Sequence, residues 1–165
     1  MKVWFKRRWC PRGIRPPWIV DDQYQWLWLD AAVEPLTGES FFLLLPHVDR
    51  LCLQLFVDAL SRAVGEQKVG LVLDGSGSHR AAITWPENLA PISLPRYSPE
   101  LNPAEQIFRT LRAALSNRVF ADLDELEIAL TEELRPFWEQ PAVLHHLTAY
   151  PWWLEEGAAD EGERT

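Results

Sequence analysis

The chain lacks any apolar run approaching the roughly 18 residues that a membrane-spanning helix needs. Its first twenty residues also lack the continuous apolar stretch of a signal peptide, being basic and broken by Pro11, Pro16 and Pro17. Cysteine is scarce. Cys10 and Cys52 form no CxxC pair and match no zinc-site spacing, so a reducing, cytoplasmic setting is the simpler expectation. Internal repeats and low-complexity tracts are absent, which excludes solenoids and fibrous architectures. What remains is a 165-residue chain with 47% hydrophobic and 24% charged residues, the proportions of one ordinary globular domain with a real core.

Charge of one sign is missing at each end. Residues 1–20 carry Lys2, Lys6, Arg7, Arg8, Arg12 and Arg15 and no acid. Residues 121–165 hold twelve of the 24 acidic side chains and only Arg135 and Arg164 as bases. The net charge of −8 argues at first sight against a nucleic-acid partner. Its distribution nevertheless lets a polyanion approach one region while another repels it. A solvated basic tail accounts for the same pattern equally well.

Hydrophobic periodicity outlines the elements. Gln23 to Val33 (QYQWLWLDAAV) is aromatic and apolar, and an extended backbone puts Trp26, Trp28 and Asp30 on one face. Glu34-Pro-Leu-Thr-Gly38 has turn chemistry and Ser40 to Leu45 is apolar, which predicts a β-hairpin. Val48, Leu51, Cys52, Leu55, Phe56, Ala59 and Leu60 then recur at helical spacing until Gly65. Lys68 to Leu73 is a continuous apolar run, predicted to be a strand covered on both faces, and Asp74 stands at its end. Ala90 to Leu94 suggests another strand. Asn102 as N-cap and Pro103 at the first helical position predict a helix to Arg118, with Ile107, Phe108, Leu111 and Leu115 as its stripe. Asp122 and Glu125 make a capping box for one more helix bearing Leu123, Leu126, Leu130 and Leu134. Hairpin, helix, two strands and two helices amount to an α/β chain, expected as one mixed sheet flanked by helices.

Two acids occupy positions where a metal could use them. Asp74 ends an apolar strand, and open α/β sheets bind ligands beyond the carboxyl ends of their strands. Glu105 lies in the first turn of the helix after the next strand. Hard cations such as Mg²⁺ take one or two protein carboxylates and complete their shell with water and phosphate oxygens. A pair of such ions can activate an attacking oxygen and stabilise a leaving one. Structural readings compete at each position. Glu105 also completes a capping box with Asn102, Asp74 before Gly75 also suits an Asx-turn, and His79 also suits a cap.

Longer motifs favour the chemical reading. Leu71-Val-Leu-Asp-Gly-Ser-Gly-Ser-His79 resembles the second-aspartate motif of mariner-type DDE transposases, bacterial insertion-sequence branch, in which His follows Asp by five residues. Leu94-Pro-Arg-Tyr-Ser-Pro-Glu-Leu-Asn-Pro-Ala-Glu-Gln106 resembles that family's third-carboxylate motif almost residue for residue. Ala32 to Phe41 resembles the hairpin after the first aspartate, and Arg7 to Pro16 the basic connection before it. The likeness runs from about residue 2 to about residue 135.

The resemblance implies an RNase H-like fold in which Asp74 and Glu105 are catalytic metal ligands for Mg²⁺ or Mn²⁺. It implies metal-dependent cleavage and transfer of DNA strands, with transposon ends and target DNA as partners. His79, Arg96, Arg109 and Arg112 are the implied DNA contacts; as surface charges the arginines are more often only solvated. Residues 1–150 are expected to form the catalytic domain and 151–165 an acidic tail.

Two departures qualify the likeness. Gly75 stands where the family has Asn, with the Asp-to-His spacing kept. The family's first aspartate belongs on an opening strand upstream of the basic connection, and Met1 falls just after its place. The end-recognising helix-turn-helix region would also precede Met1. Neither Asp21, Asp22 nor Asp30 matches the missing position. The chain is therefore expected to be a catalytic-domain fragment without its first strand, inactive alone. The alternatives are a non-enzymatic remnant that binds or inhibits a full-length transposase or associates with itself, and an RNase H-like structure-specific nuclease.

Overall fold

The computed structural model describes residues 26–74, 83–95, 98 and 101–150. Their order is β1 (Trp28–Val33), β2 (Ser40–Leu45), α1 (Arg50–Val64), β3 (Val69–Leu73), β4 (Leu89–Ser93), α2 (Ala104–Leu115), α3 (Leu123–Glu139) and α4 (Pro141–Thr148). The basic stretch 1–20 and the acidic stretch 151–165 lie outside the described residues.

The hairpin forms where its turn chemistry predicts. β1 and β2 pair antiparallel, with Trp28 opposite Leu45 and Val33 opposite Ser40. The turn closes through Gly38 N–H to Glu34 O (2.8 Å) and Glu34 N–H to Glu39 O (2.9 Å). Gly38 has φ +79°, and a Cβ there would lie 1.9 Å from the Pro141 carbonyl oxygen. Only glycine lets α4 approach the turn so closely.

Asp49 starts α1 by accepting the Cys52 N–H at 2.8 Å, and this bond holds its carboxyl below the ordinary range. Gly65 ends the helix at φ +64°. The buried face of α1 differs from the sequence expectation. Cys52, Leu53, Phe56, Val57 and Leu60 are buried, whereas Leu51 and Leu55 are 71% and 55% exposed. Two neighbouring stripes on this helix are apolar, so periodicity alone could not choose between them. Packing selects the stripe containing Leu53 and Val57. Polar bonds fix the choice: Asn88 Nδ2 donates to the Ser61 and Gly65 carbonyls (2.9 and 2.7 Å), and Gln54 exchanges two 2.8 Å bonds with the Thr84 backbone.

β3 and β4 pair in parallel, Val69 opposite Leu89 through Leu73 opposite Ser93. The expected α/β class is met. Among the described residues there are two separate two-stranded sheets, β1–β2 and β3–β4, with no described strand joining them. Coverage of β3 on both faces is corrected, since Leu71 is buried but Gly70 is exposed.

Two cores lie on opposite faces of the hairpin. Phe41, Leu43 and Leu45 pack with Leu53, Phe56, Val57 and Leu60 of α1 and with Leu71 and Leu89. Leu29, Val33, Phe42 and Leu44 pack on Ile107, Leu111 and Leu115 of α2, Leu130 and Leu134 of α3, and Leu144 of α4. The period-2 alternation of the strands supplies both faces at once. At the start of α3, Asp122 accepts the Glu125 N–H (2.8 Å) while Glu125 accepts the Ala121 N–H (2.6 Å), a reciprocal cap close to the expected one. The short helix α4 was not expected from the sequence; Pro141 opens it and Leu144 and Thr148 are its buried residues. None of the described helices is long and apolar enough to cross a membrane.

Candidate active site

Asp74 follows the last residue of β3 and is half-buried. The strand delivers it: Leu71 anchors β3 in the first core, and the chain leaves the sheet one residue past Leu73. Glu105 is the second residue of α2. Its place is set by Asn102, whose side-chain oxygen accepts the Ala104 N–H at 3.0 Å, and by the burial of Ala104 and Ile107 just beyond. A carboxylate in the first turn is also favoured by the helix dipole. The expectation of an Asn102 cap is thus met in its chemistry.

Asp74 and Glu105 line one cavity of about 1250 Å³. It lies between β1 and β3, floored by Leu53, Phe56 and Leu60 of α1 and bounded by Pro103, Ala104 and Phe108 near the start of α2. Asp30 of β1, Glu34 and Glu39 line it as well, and among the described residues no lysine or arginine does. The sequence did not single out Asp30 as a site residue; its place on the same face as Trp28 was legible, its nearness to the cavity was not. Among the described residues no group of three or more His, Cys, Asp or Glu side chains comes together as a metal site. The donor set therefore offers a hard cation carboxylate oxygens around an acidic cavity, with much of the coordination left to water or phosphate.

Arg112 lies two turns along α2 from Glu105, its guanidinium 3.9 Å from the Glu105 carboxylate. Arg109 is exposed and donates to Gln106 Oε1 at 3.0 Å. Spacings of four and seven put Glu105, Arg109 and Arg112 along one side of the helix. Gln106 in turn donates to the Tyr150 hydroxyl, tying the start of α2 to the segment after α4. His79 and Arg96, the other expected DNA contacts, lie outside the described residues.

Comparisons with known proteins agree with this arrangement. The family described as DDE superfamily endonuclease matches residues 2–127, which include both carboxylates. An uncharacterized protein, y4pE/y4sA of Sinorhizobium fredii (strain NBRC 101917 / NGR234), is 35% identical over 104 residues, 61% of this chain and 77% of that protein. No solved structure matches. With the matched region spanning most of the chain and both acids facing one cavity, the protein belongs to the DDE superfamily endonucleases.

Proposed function

We propose that this chain carries transposase catalytic-domain sequence, of the mariner type and the bacterial insertion-sequence branch, built on an RNase H-like fold. The observation that carries the reading is that Asp74 and Glu105, far apart in sequence, line one cavity. In this role the two carboxylates would hold Mg²⁺ or Mn²⁺, which would supply charge stabilisation for cleavage of a DNA phosphodiester and joining of a 3′-hydroxyl. Arg109 and Arg112, on the same side of α2 as Glu105, contact phosphates, with His79 and Arg96 contributing from the motif segments. Arg112 also pairs with Glu105 at 3.9 Å, a solvent-exposed contact of little energy that a bound cation would displace.

Two carboxylates alone hold a metal pair poorly and lose the geometry phosphoryl transfer requires. With these two carboxylates the chain by itself is expected to show no nicking or joining of DNA. Mn²⁺ binding to the full chain, followed by electron paramagnetic resonance, tests the site. Weak binding lost in both Asp74→Asn and Glu105→Gln is expected; binding unchanged in either variant refutes the assignment. Nicking or joining of DNA by the unmodified chain in Mg²⁺, abolished by Glu105→Ala, would overturn the expectation of inactivity.

One observation favours a second reading. Trp26 and Trp28 stack at 6.4 Å between centroids while remaining 46% and 37% exposed, an aromatic surface suited to a protein partner. A remnant that binds a full-length transposase, or a second copy of this chain, fits that surface. Co-purification with the intact enzyme supports this reading, and recovery only as a free monomer counts against it.

A further inference from the structure

Helix α2 carries two arginines on the side of Glu105, and their surroundings differ. Arg112 is paired with the Glu105 carboxylate. Among the described residues Arg109 pairs with no carboxylate, and the partner of its guanidinium is a neutral one: Nη1 donates to Gln106 Oε1 at 3.0 Å. A guanidinium carries several N–H donors in a rigid fork. One is used here, which leaves the others and the whole positive charge for an anion. Arg109 is exposed, and a long exposed side chain loses rotamer freedom when it is fixed. A partner that orients it in advance, without cancelling its charge, therefore favours the bound state.

Gln106 can do this only with its amide turned one way. Its oxygen accepts and its nitrogen donates, so a flipped amide would set N–H against N–H at Arg109. The other end of the amide is held, because Nε2 donates to the Tyr150 hydroxyl. Tyr150 in turn has a firm support. Its N–H donates to the Thr148 carbonyl at 3.0 Å, and the Ala149 N–H donates to the His145 carbonyl at 2.8 Å. The Thr148 hydroxyl donates to the Leu144 carbonyl at 2.8 Å, and both of these residues are fully buried. A relay thus runs from the second core through Tyr150 and Gln106 to a cation on the surface.

Two placements connect this relay with the candidate site. Arg109 stands one helical turn, about 6 Å, along α2 from Glu105. Phe108, its neighbour in the chain, lines the cavity that Asp74 and Glu105 share. Tyr150 lies beyond residues 2–127, the part of the chain that the family matches. The arginine and the glutamine thus belong to the matched region, and the group that aims them is supplied from outside it, by the segment after α4.

We propose that Gln106 and Tyr150 are positioning residues, which act through Arg109 by holding its guanidinium toward a DNA phosphate beside the Asp74–Glu105 cavity. The inference rests on the reading of Arg109 as a phosphate contact and adds what aims it.

The test is metal-free DNA binding by the full chain, read by fluorescence anisotropy of a labelled duplex of mixed sequence over a series of salt concentrations. Arg109→Gln should weaken binding about three- to tenfold. It should also lower the slope of log affinity against log salt by about 0.9, the loss of one phosphate contact. Tyr150→Phe keeps the ring, and Gln106→Met keeps the length and neutrality of its side chain. Each should weaken binding about threefold and lower the same slope. Added to Arg109→Gln, Tyr150→Phe should change nothing further, whereas a tyrosine that only supports the fold would weaken binding by the same factor in both backgrounds. Unchanged binding in Tyr150→Phe and Gln106→Met, with Arg109→Gln weakened, overturns the relay and leaves the phosphate contact standing. Effects that multiply in the double variant overturn the relay as well. Unchanged binding in Arg109→Gln, or no binding by the parent chain, removes the phosphate contact and the relay together; Mn²⁺ binding at Asp74 and Glu105 then decides whether the metal reading falls with them.

Discussion

Replacing Leu111 with alanine tests whether α2, and with it Glu105, is held by the second core. Leu111 is 1% exposed and sits among residues of α3, α4 and the hairpin. The substitution removes three carbons, which at about 0.8 kcal/mol per methylene is about 2.4 kcal/mol of lost transfer energy. The surrounding helices close only partly over the gap, which raises the expected loss to about 3–4 kcal/mol. Against a typical domain stability of about 5–15 kcal/mol this is a large fraction. Urea unfolding followed by circular dichroism reads it directly. With a slope of about 1.5 kcal/mol/M, the midpoint should fall by about 2 M at an unchanged slope. A fall below about 0.5 M at the same slope would refute the packing described for α2. Mn²⁺ binding should weaken in the same variant, because the first turn of α2 then loses its anchor; undiminished binding at full destabilisation would separate Glu105 from that core.

Three further outcomes follow from particular contacts. Gly38→Ala puts a Cβ at φ +79° against the Pro141 backbone and should cost about 2–3 kcal/mol, read as a lowered melting temperature; an unchanged value would mean that α4 does not dock on the turn. Asp49 has its carboxyl lowered by the Cys52 N–H, so its contribution is present above the ordinary value of 3.8 and is lost as pH falls through the lower folded value. Asp49→Ala should therefore lower the melting temperature at pH 7 and remove part of the acid sensitivity below pH 3.8, and parallel acid profiles for variant and parent would contradict the cap. Arg112→Ala breaks an ion pair whose side chains are 45% and 33% exposed, so stability should change by less than about 0.5 kcal/mol while Mn²⁺ binding at Glu105 tightens; weakened binding would show that Arg112 does not compete with the cation.

The elements legible in the sequence are those governed by contacts between near neighbours. Asp49, Asn102 and Asp122 each mark a helix start because a short side chain satisfies backbone N–H groups two or three residues ahead. The hairpin followed from Glu34 to Gly38 because turn geometry depends on adjacent residues, and β3 and β4 from short apolar runs. Asp74 at a strand end and Glu105 in a first helical turn were found the same way, and their family from the motifs around them. Tertiary structure decided the rest. Leu51 and Leu55 are as apolar as Leu53 and Val57, and only the partners offered by β2 and β3 chose which pair α1 buries. How the described strands divide into two sheets depends on which strand lies beside which, a long-range matter that local pattern leaves open. The convergence of Asp30, Asp74 and Glu105 on one cavity has the same origin, since it depends on where separate elements stop in space rather than on any spacing along the chain.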